Sequence, residues 1–448
     1  MAERNGICPQ TDTIFAPASA IGGAIAVIRV SGPDTENVEK LLKKRITAKP
    51  FTVQHTDMVS LNGEYLDDAM AVYYPAPRSY TGEHMAEIYC HGGARTVSGI
   101  LAALSSLGFR PAEGGEFTRR AFLNGKMDLS QAEAVMDVIN ATAEQSLKAA
   151  LRQLKGAVGE QLAETENLLT DALSAIDAAI DYPEEAEEDA LLSVPKLLSA
   201  ARRALETLLE TGRHNRVLRD GIRVVILGRP NVGKSSLLNA LTGEDRAIVT
   251  DIAGTTRDII EARASLYGVP VRLIDTAGIR ETDNPVERIG VERAKNALAE
   301  ADIALVVLDG TVPPTEEDFA LLRATRHMPR LLARNKADLP AQAALAAPEG
   351  EEALPVSALT GEGLETLKQR LFALACPTGA DASAITNERH LNALSRCLDA
   401  VLAASGAAEW DCAATDIRDG LKCLGEITGS DVDETVIDRI FERFCVGK

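Results

Sequence analysis

No run in this sequence approaches the ~20 apolar residues that a membrane helix requires; the best is IALVVL at 303–308. The opening MAERNGICPQTDTIFAP has no basic start followed by an apolar core, so no signal peptide, no membrane partner and a cytoplasmic location are expected. The seven cysteines (Cys8, Cys90, Cys376, Cys397, Cys412, Cys423 and Cys445) are odd in number, scattered and never in a CxxC pair. That excludes a disulfide framework and a zinc knuckle, and most are expected to be buried small apolar residues. An excess of positive charge is missing too. The formal net charge is -19, which excludes a generic basic nucleic-acid binder and leaves room only for a local cationic patch.

What remains is a folded composition, 46% hydrophobic and 25% charged, in 448 residues. That length accommodates two to four domains of about 100–200 residues. Residues 1–122 mix short apolar runs (GAIAVIRVSG, DAMAVYYPAP, MAEIYCHGG) with turn signals such as NG, SGPD and YTGE, and read as an α+β domain. Residues 123–218 are rich in Ala, Leu, Glu and Lys with apolar residues at helical spacing, broken by DYPEEAEEDA at 181–190. Residues 219–378 alternate strand-like runs (RVVILG, VRLIDTAG, DIALVVLDG, PRLLARNKAD, ALPVSA) with helical patterns, the signature of a parallel sheet wrapped by helices. Helical texture returns over 379–448. The simplest arrangement is a discontinuous helical domain with an α/β domain inserted in it.

The inserted segment carries the chemistry. GRPNVGKSS at 228–236 follows the strand RVVIL and precedes a helix, the context a P-loop needs. Gly228 and Gly233 let the backbone wrap a phosphate, and the turn and helix-terminal amides (Asn231, Val232, Gly233, Lys234, Ser235, Ser236) point at the anion. Lys234 is placed to reach the β- and γ-phosphates and Ser235 to coordinate magnesium. DTAG at 275–278 (Asp275, Thr276, Ala277, Gly278) ends a strand, so Asp275 can hold magnesium from behind and the Gly278 amide can meet the γ-phosphate. In DIAGTTRD at 251–258, Thr255 or Thr256 could complete the magnesium shell. NKAD at 335–338 (Asn335, Lys336, Ala337, Asp338) suits guanine, whose N1 and exocyclic amine form a donor edge that adenine lacks. SAL at 357–359 (Ser357, Ala358, Leu359) follows another strand. This ordered set resembles the Ras-like GTPases of the translation-factor class and implies GTP rather than ATP.

Ras-type enzymes orient the attacking water with a glutamine just after Asp-x-x-Gly. Here that position is Ile279, which cannot do so, and no arginine finger follows from the spacing of Arg257 or Arg280. A monovalent cation is a candidate for neutralising charge, caged by the Asn231 side chain and backbone carbonyls of the 250–255 loop. Glu281, Asp283 and Glu287 remain open as water-orienting carboxylates.

The combination of an N-terminal α+β domain, a helical domain split by a GTPase with NVGKSS, TDIAGTTRD and DTAGIR, and a closing CVGK resembles the MnmE (TrmE) family of tRNA uridine-modification GTPases over essentially all 448 residues. Members commonly close in Cys-Ile-Gly-Lys; Val446 is a conservative departure. The resemblance implies a potassium-activated, magnesium-dependent GTPase, homodimeric through its N-terminal domains. The implied potassium positions are Asn231, Thr250, Ile252 and Thr255, the magnesium ligands Ser235 and Thr256, and the nucleotide-contacting stretch also takes in Asp251, Ala253 and Gly254. Among the three carboxylates it selects Glu287 as the catalytic, water-orienting one. It further implies a flavin-dependent partner of the MnmG kind in a heterotetramer. Together they would add an aminomethyl or carboxymethylaminomethyl group to carbon 5 of the wobble uridine of certain tRNAs.

The one-carbon donor implied is 5-formyltetrahydrofolate or a related tetrahydrofolate, at Arg29, Glu87, Lys126 and Lys448. Basic residues can pair with folate carboxylates, and a carboxylate can accept from the pterin amine and ring N–H. Lys448 in that role requires the closing segment ERFCVGK to be held against the N-terminal domain of the same or a partner subunit. For Cys445 two readings stay open, a nucleophile beside the one-carbon donor and a buried inert thiol, the latter being the expectation. The basic stretch RHNRVLRDGIR at 213–223 could meet tRNA phosphates or be a solvated linker. A ribosome-assembly GTPase of the Era kind is the alternative, disfavoured by some 220 residues ahead of the GTPase and by the acidic charge.

Overall fold

The computed structural model describes residues 12–141, 143–181, 188–243, 260–275, 298, 301–340, 351–375, 385–442 and 444–448; side chains at 188–190, 213–220, 260–263, 265 and 275 also lie outside the description. The chain falls into two compact units. One comprises 1–136, 154–186 and 407–448, the other 137–153 and 187–406.

The first unit is built on a largely antiparallel sheet. Strands β1 (Ile14–Pro17), β2 (Ile25–Ser31), β3 (Gln54–Val59), β4 (Tyr65–Tyr74), β5 (Met85–His91) and β6 (Arg110–Pro111) form a sheet in the order β3-β4-β5-β2-β1-β6, with only the β1–β6 pair parallel. Alternation does the sorting: Ala26, Ile28 and Val30 of β2 face the core while Arg29 faces the other way. Helix α1 (Ala94–Ser106) covers the apolar face through Val97, Ile100 and Leu104. Helix α2 (Glu116–Leu123) and most of α3 (Leu129–Asn140) follow in this unit; α4 (Glu144–Leu154) belongs to the second unit, and the long α5 (Ala157–Asp181) lies in the first again.

In the second unit, α6 (Glu188–Asp220) leads into β7 (Ile222–Leu227) and the P-loop helix α7 (Lys234–Thr242). Strands β8 (Ile260–Leu266), β9 (Val269–Asp275), β10 (Ile303–Asp309), β11 (Arg330–Asn335) and β12 (Ala353–Pro355) complete a sheet ordered β12-β11-β10-β7-β9-β8. All its pairings are parallel except β8–β9. Every residue of β10 but Asp309 is buried, as a central parallel strand covered on both faces demands. Helices α8 (Glu316–Ala324) and α9 (Leu364–Ala375) pack on it, and α10 (Glu388–Gly406) runs along α6. Helix α11 (Trp410–Thr428) returns the chain to the first unit, where it packs on α5, and α12 (Glu434–Phe441) packs on α2.

The expected sequence of α+β domain, helices, α/β domain and helices is thus present. Compactness divides the helices, however: α5 with α11 belongs to the first unit, α6 with α10 to the second. The basic stretch at 213–223 is not a linker; it occupies the last turns of α6 and the start of β7. No described helix is long and apolar enough to cross a membrane.

Candidate functional site

The nucleotide loop sits where β7 hands over to α7. Gly233 has φ 96° and a Cβ there would lie 2.2 Å from the Asn335 side-chain nitrogen, so no other residue fits. Asn231 also has positive φ, at 65°. Lys234 is largely buried, and its Nζ donates to the carbonyls of Gly228 (2.8 Å) and Arg229 (2.9 Å), curling the lysine over the loop it belongs to. Ser235 and Ser236 follow in the first turn of α7, whose N-terminal amides attract anions.

The NKAD segment begins at the C-terminal end of β11, across β10 from the P-loop strand β7. Asn335 is buried and braces two loops: its Nδ2 donates to the Val232 carbonyl (2.9 Å) and its Oδ1 accepts from the Ala358 amide (3.0 Å). The guanine reading therefore narrows to Asp338, whose carboxylate accepts from Ser357 Oγ at 2.5 Å. Lys336, at φ 68°, donates from Nζ to Asp309 at 2.6 Å. Burial opposes ionisation of Asp309, but Lys336 and Thr311 outweigh it and hold its carboxyl below the usual range. The Ala337 amide donates to the Val356 carbonyl, and Leu359 is exposed. Thr250, Asp251, Ile252, Ala253, Gly254, Thr255, Thr256, Thr276, Ala277, Gly278 and Glu287 lie outside the described residues, as do Arg257, Ile279, Arg280, Glu281 and Asp283. Asp275 ends β9, with its side chain likewise outside the description.

A second candidate site lies in the first unit. Arg29 and Glu87 are direct cross-strand partners on β2 and β5. Arg29 donates from Nε (3.2 Å) and Nη2 (3.0 Å) to Glu87 Oε1, and both side chains are only about one-seventh exposed (14% and 13%). The guanidinium lies against two aromatic faces, 5.1 Å from the Tyr80 ring centre and 5.7 Å from that of Phe117. Tyr89, two residues on from Glu87 and hence on its face, donates to Glu87 Oε2 at 2.8 Å. Burial and that bond push the Tyr89 phenol upward, so it stays a donor. Burial likewise raises Tyr80 and Tyr74.

The closing segment reaches this cluster of side chains. Phe444 packs with Phe441 and Phe122, the Gly115 amide donates to the Cys445 carbonyl (3.3 Å), and Val446 pairs with Gly114. Arg29 Nη1 donates to the Gly447 carbonyl at 3.4 Å. Gly447 has φ 93° and a Cβ there would sit 2.0 Å from the Pro17 carbonyl oxygen. The segment is docked on its own chain, with Lys448 half-buried one residue beyond Gly447. Cys445, expected to be buried, is exposed: the flanking Phe444 and Gly447 take the inward positions. The more general expectation holds at Cys90, Cys397 and Cys423, which are buried, but not at Cys412, which is exposed. Lys126 is exposed and donates to the Pro77 carbonyl (3.0 Å), in the loop that carries Tyr80. Tyr80, Phe117 and Tyr89 have no motif, and only the β-strand alternation of Glu87 and Tyr89 hinted at the third.

Comparison with known proteins decides what these two sites belong to. A family model described as the MnmE helical domain matches residues 129–445, and one described as the GTP-binding protein TrmE N-terminus matches 13–126. The chain belongs to the MnmE family. The tRNA modification GTPase MnmE of Bacillus cereus is 41% identical over 459 residues, covering 98% of this chain and 100% of that protein. The MnmE of Laribacter hongkongensis is 42% identical over 446 residues, covering 98% and 99%. Among solved structures, Era of Aquifex aeolicus bound to GDP.AlF4- is 31% identical and covers 40% of this chain and 66% of its own, with a TM-score of 0.30. The G domain of the T. maritima FeoB iron transporter is 30% identical and covers 34% and 98%, with a TM-score of 0.28. Full-length coverage by MnmE relatives sets aside the Era-kind alternative.

Proposed function

We propose that this chain is a GTP hydrolase of tRNA modification whose first unit holds a tetrahydrofolate one-carbon donor. The GTPase and the tRNA role follow from family membership. The observation that carries the folate reading is the Arg29–Glu87 pair, sealed by Tyr80, Phe117 and the Gly447 carbonyl. A shielded carboxylate among aromatic faces, held in place by Arg29, suits a pterin's donor edge, and Lys126 and Lys448 suit the acidic end of a folate. Bound 5-formyltetrahydrofolate would supply the carbon; the chain's residues would orient it.

For GTP, the P-loop amides and Lys234 take the phosphates and Asp338 takes guanine. Ser235 and Thr256 would hold magnesium, Asp275 would support it, and Asn231, Thr250, Ile252 and Thr255 would hold potassium. Glu287 is then the residue that orients the attacking water. Pairing as a homodimer and with an MnmG-like flavoprotein completes the reading, and placement in the cytoplasm accords with it.

Mass spectrometry of wobble uridines in a deletion strain tests the whole: modification should vanish and return with the wild-type chain, but not with Arg29→Ala. Unchanged uridines in the deletion strain would refute the tRNA reading. Equal GTP turnover in potassium and sodium would remove the potassium role.

A further inference from the structure

The first unit presents a cationic and aromatic surface that neither site above uses. From Lys40 to Lys49 come five cations (Lys40, Lys43, Lys44, Arg45 and Lys49), and no acidic residue follows until Asp57. All five are exposed, in the segment that leads to the edge strand β3. Lys43 pairs with Asp57 at 3.3 Å and Arg45 approaches Glu39 at 3.9 Å, while Lys40, Lys44 and Lys49 have no ion pair among the described residues. On a chain of net charge -19, such a concentration is a local exception that favours a polyanion.

Beside it stands a stacking platform. Phe51 has φ 60°, a rare conformation for a bulky residue, and its amide donates to the Tyr73 carbonyl at 2.9 Å. The residue as a whole is 43% exposed. The Arg78 guanidinium lies 4.7 Å from the ring centre, and Tyr74 meets the ring edge-on at 5.9 Å. Tyr74 in turn neighbours Tyr89 and the Glu87 carboxylate, and Lys126 binds the carbonyl of Pro77, next to Arg78. The platform is thus continuous, residue by residue, with the Arg29–Glu87 pocket.

Cations alone would suit any polyanion. An exposed ring capped by a guanidinium adds a preference for a flat base, and bases offer their faces only where they are unpaired. We propose that this surface receives an unpaired loop of RNA, its phosphates on Lys44, Lys49 and Arg78 and a base on Phe51. The proposal rests on the tRNA-modification reading above and places the substrate's loop beside the pocket assigned to the one-carbon donor.

The test uses the full chain and two labelled RNAs, a hairpin with an unpaired loop and a blunt duplex of equal length, followed by fluorescence anisotropy. The wild-type chain should prefer the hairpin. Phe51→Ala should weaken the hairpin about tenfold and leave the duplex unchanged, and Phe51→Trp should keep hairpin binding. Lys49→Ala with Arg78→Ala should weaken both RNAs and lower the salt slope of hairpin binding by about 1.4, at about 0.7 per phosphate contact. Both unfolding transitions, that of the first unit included, should keep their wild-type midpoints in every variant, which establishes that they fold, and GTP hydrolysis without RNA should stay at the wild-type rate. Hairpin affinity within twofold of wild type in Phe51→Ala and in the double variant would overturn the proposal. So would a wild-type chain that binds duplex as well as hairpin, or a loss of hairpin binding that tracks a drop in particle mass by light scattering, since the surface would then join two copies. If the Phe51→Ala chain restores wobble modification in the deletion strain with hairpin binding intact, this surface proposal fails and the tRNA reading stands; unmodified uridines absent from the deletion strain would sink the reading itself.

Discussion

At the scale of single residues, Asn335 illustrates how a recognition motif can be mainly a brace. Its amide joins the P-loop carbonyl of Val232 to the amide of Ala358, so Asn335→Ala strands two groups. A stranded buried polar group costs about 1–3 kcal/mol. The variant should bind fluorescent GDP at least tenfold more weakly, with the circular dichroism of the chain unchanged at 25 °C. Arg120 is the opposite case, a guanidinium only 1% exposed among Asp12, Glu83 and Glu116. Burial opposes ionisation of Glu116, yet Arg110, the Glu113 amide and Arg120 prevail, and its carboxyl titrates below 4.5. A depressed carboxylate stabilises the fold fully above its unfolded pKa, and the contribution is lost as pH falls through the lower folded value. Glu116→Gln should therefore lower the thermal midpoint at pH 7 and flatten its fall below about pH 4.5. A midpoint that declines as steeply as wild type would contradict the assignment.

At the scale of elements, the decisive contacts are close approaches that only glycine permits. Gly447→Ala puts a Cβ against the Pro17 carbonyl and adds strain at positive φ, so the closing segment should detach while α12 stays packed. Carboxypeptidase should then release Lys448 many times faster than from wild type; equal rates would mean the segment is not held as described. Gly233→Ala meets the Asn335 side chain and should abolish GTP binding in calorimetry. These elements differ in how readable they were. The P-loop, NKAD and SAL segments announce themselves because phosphate and guanine geometry dictates residue type and spacing. The Arg29–Glu87 pocket carries no such dictation: its members are separated in sequence and joined by sheet register, so the family resemblance pointed to Arg29 and Glu87 while Tyr80 and Phe117 went unread. The helical period showed which faces of α5, α6, α10 and α11 are apolar. It could not show that α5 pairs with α11 and α6 with α10, since apolar faces do not name their partners.

At the scale of the whole molecule, two compact units share one chain that passes between them repeatedly. Each has its own sheet and core, so calorimetry should resolve two unfolding transitions. GDP at 100 times its Kd should stabilise the unit with the P-loop by about 2.7 kcal/mol and leave the other midpoint in place. A single transition that moves as one with GDP would show that the units unfold together. The pocket of the first unit also has a history in time. Arg29 and the Gly447 carbonyl that caps it stand 418 positions apart. At about 5–20 residues per second, a ribosome takes roughly 20–80 s to pass from one to the other. For the part of that interval after Glu87 has been made, Arg29 and Glu87 can pair in a folded sheet without their lid, so premature termination would leave the pair without the lid that the Gly447 carbonyl supplies.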